Sequence, residues 1–177
     1  MYVKQPVIAK RNYCVPAVLQ MVLEHYGIDN FTQESIASQL HIISDDDDIP
    51  HINWGTQIDN NTLNNFFQNN GIALHEKYIH IGHFMDDYFF QEALPNLLKE
   101  SVSVICGFNY TWLYSEGEDT YRHVSIIVNF NSQTEIVTLL DPGPKNAGYK
   151  EVSAYKLYQA IKAGGDGLWC ILRNTTE

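Results

Sequence analysis

The feature that most limits what this chain can become is a change of hydrophobic period partway along it. Up to about residue 70, apolar side chains recur at helical spacing. Beyond about residue 73, short apolar runs rich in β-branched residues dominate. Helices first and strands later is the pattern of an α+β domain, with N-terminal helices packed on a C-terminal antiparallel sheet. In the first part Val18, Leu19, Val22, Leu23 and Tyr26 form one stripe. Pro16 sits near its start, where a missing N–H costs nothing, and Gly27 stands at its end, so a helix is predicted over about 14–26. A second is predicted at Thr32–Leu40 with Thr32 as cap, and a third at Asn60–Asn70 with Leu63, Phe66 and Phe67 inward.

In the second part Ala73–Ile81 reads as a strand with neighbouring turns, and Phe89–Glu100 as a helix despite Pro95. Val102–Phe108, His123–Phe130 and Glu135–Asp141 read as strands. The stretch Tyr110–Thr120, with Gly117 and several acids, reads as a loop whose Tyr110, Trp112 and Tyr114 either line a cleft or pack. Asp141-Pro-Gly-Pro is a sharp turn. A short helix at Ser153–Lys162 and a closing strand at Leu168–Leu172 complete the chain. No repeat or linker interrupts its 177 residues, so one domain over 1–177 is expected.

Charge narrows the function classes. The net charge is −10, with 21 acids against 11 Lys and Arg and no cationic cluster. That argues against nucleic acid and anionic membranes as partners. No run approaches the roughly 20 apolar residues of a membrane span. Met1–Lys10 is broken by Lys4, Gln5 and Pro6, so no secretion signal is expected. The three cysteines, Cys14, Cys106 and Cys170, are odd in number and widely spaced, which does not suit a disulfide framework. A cytoplasmic protein is expected.

Cys14 lies at the edge of the first helix, where free amides and the helix dipole favour thiolate over thiol. The ordinary fate of a free cysteine is a small buried hydrophobe, and Cys106 and Cys170, inside apolar strands, read that way. His123 opens an apolar strand after a polar loop. Asp141 ends the next strand, so an antiparallel pairing can set the two side by side, with the carboxylate orienting the imidazole. Taken alone, Asp141 reads better as a turn residue before Pro142. His25 lies too far along the first helix. His75, His80 and His83 have spacings that match no standard ligand pair, and Asp45–Asp48 lacks the Gly and Glu of a calcium loop and reads as a solvated loop. No metal or other cofactor is expected.

The segment Asn12-Tyr-Cys14-Val-Pro-Ala-Val-Leu-Gln-Met, running on to Tyr26-Gly27, resembles the nucleophile helix of the family that includes the bacteriocin-processing, double-glycine peptidases. Trp54-Gly-Thr56 with Leu63 and Gly71, Arg122-His-Val-Ser-Ile-Ile-Val128, and Leu140-Asp-Pro-Gly143 resemble further family segments in the expected order. The resemblance implies a papain-like fold and thiol catalysis without a cofactor. It also implies Cys14 as nucleophile, His123 as general base and then acid, and Asp141 as orienting group. The family's oxyanion glutamine six residues before the nucleophile is Ile8 here, which leaves Gln5, Asn12 and the Cys14 backbone N–H as oxyanion candidates. Tyr13 and Val15 replace the family's polar and small neighbours of the cysteine. The activity implied is a soluble thiol hydrolase cleaving a peptide or amide bond through a thioester. Acyl transfer at the same thiol and a catalytically inactive binding protein are the alternatives. The expected partner is a peptide or acyl substrate.

Overall fold

A computed structural model describes residues 8–9, 13–40, 62–114, 122–143 and 147–174. Its first three helices follow the apolar stripes. Helix α1, Cys14–Tyr26, stops at Gly27, whose φ of 92° suits a residue without a Cβ. Helix α2, Gln33–Gln39, begins with a reciprocal cap: the Ser35 amide donates to Thr32 Oγ1 at 3.2 Å and the Thr32 amide to Ser35 Oγ at 3.0 Å. Helix α3, Thr62–Asn69, buries Leu63, Phe66 and Phe67 as its spacing predicts. Positions 60–61 of the predicted helix and the acidic run Asp45–Asp48 lie outside the described residues.

Strand β1, Leu74–His80, leads through a 3-10 turn, Ile81–His83, into α4, Asp87–Glu100, whose cap Asp86 accepts from the Phe89 amide. Then come β2, Ser103–Asn109; α5, Tyr110–Tyr114; β3, Arg122–Asn131; β4, Ile136–Asp141; β5, Gly148–Ser153; α6, Ala154–Gly164; and β6, Gly167–Arg173. The six strands form one sheet in the order β1-β6-β2-β3-β4-β5, and every pair is antiparallel.

Two elements depart from the pattern read in the sequence. Tyr110–Tyr114 is a helical turn rather than loop, because Asn109 Oδ1 accepts the Trp112 amide at 2.9 Å and starts the turn directly off β2. The Gly- and acid-rich remainder of that stretch, 115–121, lies outside the described residues. Strand β5 carries little apolar signal because it is an edge strand with Lys150 and Glu151 at its middle and no fully buried residue. Glu135, expected to open β4, instead has φ 55° and belongs to the preceding turn.

Alternation along the strands divides the core between the two faces of the sheet. On one face Ile105, Val124, Ile126, Leu140, Trp169 and Ile171 meet Val18, Leu19 and Val22 of α1 and Leu63 and Phe67 of α3. On the other, Val104, Cys106, Phe108, Val137, Leu139 and Leu168 meet Phe90 of α4 and Leu157 and Ile161 of α6. Full burial of each such side chain contributes about 1.5–3 kcal/mol. The sheet is thus a rigid middle layer, and its ends can hold reactive groups without moving.

Gly167 shows how tightly β1 and β6 approach. A Cβ there would strike the Ile79 carbonyl and sit 2.9 Å from His80 Cα, both of them backbone atoms that cannot turn aside. Gly167→Ala is expected to cost about 1–3 kcal/mol. Urea unfolding would show this as a lower midpoint at unchanged slope, and a midpoint equal to wild type would refute it.

Candidate active site

The site is built on the register of β3 against β4. Ile126 pairs with Leu140, so one step further along Ser125 stands opposite Asp141. His123, two residues before Ser125, shares its face of the sheet and is a diagonal neighbour of Asp141. The sequence therefore brings the two side chains together without a loop. His123 Nε2 lies 3.0 Å from Asp141 Oδ1, and both residues are buried, at 2% and 0% exposure.

Asp141 is unusually well held. Its Oδ1 also accepts the Gly143 amide at 2.7 Å, from the turn that the Asp-Pro-Gly sequence makes. Its Oδ2 accepts Ser125 Oγ at 3.1 Å and the Tyr114 hydroxyl at 3.4 Å. Four donors thus converge on a carboxylate with no solvent access, which is what a buried acceptor-only group requires. Burial, then the nearby Asp141 carboxylate, pushes the Tyr114 phenol well above 10, so it remains a donor.

Cys14 is the first residue of α1 and is half-buried. Tyr13, at the N-cap, provides no side-chain acceptor, and the Ala17 amide is the one that bonds back to Tyr13 O, at 2.9 Å. Pro16 has no N–H. The amides of Cys14 and Val15 are therefore the first-turn donors outside the helix's own bonding, at its positive end. The thiol lies near enough to His123 to favour its charged form. With Nε2 engaged by Asp141, Nδ1 is the ring nitrogen left for a second partner. Burial opposes the charged imidazole most strongly, yet the hydrogen bonds to Asp141 and Cys14 and the charges of both outweigh it. His123 is raised from 6.5 to about 9. Phe108 and Tyr110 stand nearly perpendicular to the imidazole, with ring centres 5.6 and 5.2 Å away, and shelter it.

Cys14, His123 and Asp141 are thus neighbours in space. Gln5 and Asn12 lie outside the described residues. Ile8 is 62% exposed, and its backbone carbonyl accepts Gln33 Nε2 at 2.8 Å while the Ala9 amide donates to Pro142 O at 2.8 Å. The chain ahead of Cys14 is therefore strapped between α2 and the aspartate turn at Ile8 and Ala9. Of the three aromatics in doubt, Tyr110 and Tyr114 pack at the site and Trp112 is exposed.

Cys106 and Cys170 are core thiols, both pushed up by burial, Cys170 to about 11. His75 Nδ1 lies 2.9 Å from Asn174 Oδ1, and His80 Nδ1 accepts the Gly82 amide at 3.0 Å. Among the described residues no group of three or more His, Cys, Asp or Glu is disposed to hold a metal, and no helix is long and apolar enough to cross a membrane.

Sequence reading passed over Ser125 and Gln33, and it left Tyr114 as an aromatic that either lines a cleft or packs, with no role for its hydroxyl. Ser125 left a faint signal as a polar residue two places from His123 in an apolar strand. Gln33 and the Tyr114 hydroxyl left none, since their partners are distant in sequence.

Six helices around one antiparallel six-stranded sheet, among the described residues, make an α+β domain that fits the papain-like fold. The family model described as Peptidase_C39 like family matches residues 1–165, and the chain belongs to that family. No curated protein matches the chain.

The raised His123 value has a measurable consequence. A group whose folded value exceeds its unfolded one stabilises fully below the unfolded value, and that contribution is lost as pH rises through the folded value. Stability contributed by His123 should be complete below about pH 6.5 and gone above about 9, a difference on the order of 3 kcal/mol. Denaturation of wild type and His123→Gln across pH 6–9 tests this. The stability gap between them should narrow as pH rises, and a constant gap would contradict it.

Proposed function

We propose that the protein is a thiol hydrolase that cleaves a peptide or amide bond with Cys14 as nucleophile, His123 as proton carrier and Asp141 as orienting group. The observation that carries this reading is the buried 3.0 Å His123–Asp141 bond, with the Cys14 thiol acting on the same ring. Family membership supports the class, and the details rest on the chemistry of these groups.

The reaction follows from the arrangement. The Cys14 thiolate attacks the substrate carbonyl, and the oxyanion that forms faces the positive end of α1, where the Cys14 and Val15 amides lie. The imidazolium of His123 passes its Nδ1 proton to the departing amine, leaving a thioester on Cys14 and a neutral ring. Neutral His123 then takes a proton from water as the water attacks the thioester. Collapse releases the carboxylic acid and restores the thiolate–imidazolium pair. Asp141 holds Nε2 throughout and does not itself exchange the proton. An amine in the place of water would make the same centre an acyltransferase.

Iodoacetamide labelling tests the centre without knowledge of the substrate. A free thiol of pKa about 8.5 is only about 3% thiolate at pH 7, so a site that holds thiolate should react about tenfold faster or more. Mass-mapped alkylation should be rapid at Cys14, slow at Cys106 and Cys170, and reduced to the free-thiol rate at Cys14 in His123→Ala. A wild-type Cys14 that labels no faster than glutathione would point to a binding protein on the same fold. Trapped acyl-enzyme, followed with and without added amine, separates hydrolysis from acyl transfer.

A further inference from the structure

The two donors on Asp141 Oδ2 are not needed to make the bond to His123, which uses Oδ1. They bear on a different problem. The terminal torsion of an aspartate is broad, so a carboxylate gripped at one oxygen can turn its plane away from its partner. Gly143 and His123 both bind Oδ1, and neither fixes where Oδ2 lies. Ser125 and Tyr114 do, from two different elements: Ser125 from β3, the strand that also carries His123, and Tyr114 from α5.

We propose that Tyr114 is a positioning residue that, together with Ser125, fixes the plane of the Asp141 carboxylate so that Oδ1 stays aimed at His123 Nε2. For its part in turnover the inference rests on the reading of Cys14, His123 and Asp141 given above. Its structural claim stands without that reading.

Packing alone does not account for the hydroxyl. The Tyr114 ring lies 4.6 Å from Tyr110 and 6.3 Å from Phe108, centre to centre, and those two rings border His123. A phenylalanine would supply the same wall. Setting a hydroxyl beside a buried carboxylate is unfavourable unless the two are bonded, and bonds to charged groups are the stronger kind. Because the phenol stays protonated, the donor persists across any working pH. Asn109, which starts α5, ties the tyrosine to the end of β2 and so to the strand on the other side of β3. Donors from both flanks of β3 thus converge on one carboxylate.

The test is a pH titration of the His123 ring by carbon–proton NMR on the full chain with labelled histidine, the resonance being assigned by its loss in His123→Gln. In wild type the midpoint should lie near 9. Tyr114→Phe keeps the ring and removes the donor, and should lower that midpoint by about half a unit or more, a threefold or larger loss in proton affinity. Ser125→Ala should act in the same direction, and the double variant should exceed either alone. An unmoved midpoint in Tyr114→Phe, with only the melting temperature reduced, overturns the proposal and leaves the tyrosine a packing residue. If Tyr114→Phe does not fold, Ser125→Ala carries the same decision for the shared role. Slow alkylation of Cys14 in wild type would defeat the hydrolase reading while leaving this result intact. Rapid alkylation with an unmoved midpoint would defeat only the positioning role.

Discussion

The register that sets Ile126 of β3 opposite Leu140 of β4, beyond a shift of one residue between Ile127 and Asn129, is the constraint on which the site depends. Side chains alternate along a strand, so a slip of one residue would send His123, or Asp141, to the opposite face. Register here is enforced from both sides at once. Val124, Ile126 and Leu140 must face α1, while Val137 and Leu139 must face α6 and its neighbours. Hydrophobic burial on two faces therefore specifies the position of two polar side chains that contribute little to that burial. The geometry of the candidate site is a by-product of core packing, and its rigidity comes from the same source.

On that frame the polar groups settle each other. A buried carboxylate needs donors, and it receives them from β3, from α5 and from its own turn. A buried imidazole resists charge, and the carboxylate and thiol overcome that resistance. The α1 terminus needs acceptors for its first amides, and an anion forming at the thiol would supply one. Each group removes another's deficit. Such a network is costly to break in part and is therefore best regarded as one unit.

How much of this was legible in the sequence follows from which interactions are periodic. Helices α1 and α3 and strands β2, β3 and β6 bury apolar faces, so their periods announce them. Strand β5 has no fully buried side chain, only Val152 packing partly on the core, and is held chiefly by main-chain pairing with β4, which leaves little trace in side-chain pattern. Helix α5 is started by one asparagine oxygen, a signal too local for periodicity to detect. Within the site, Cys14 was legible from its place at a helix start, while His123 and Asp141 became legible as a pair through the hairpin and the family resemblance. Tyr114 was legible only as an aromatic that lines a cleft or packs, because its hydrogen bond to Asp141 spans 27 residues and depends on a helix read as loop.

Strand β6 lies between β1 and β2, although it follows both in the chain. It pairs Leu74 with Arg173 on one side and Ser103 with Ile171 on the other. The hairpin-linked series from β2 through β5 can form from nearby segments, but β1 has no strand partner until β6 arrives from far along the chain. Trp169 and Ile171 of β6 also complete the surface on which α1 rests. Contacts of such long separation close slowly, since their loop entropy is lost before they are formed. The core that seats the helix bearing Cys14 therefore includes residues of the strand whose pairing with β1 closes the longest loop in the sheet.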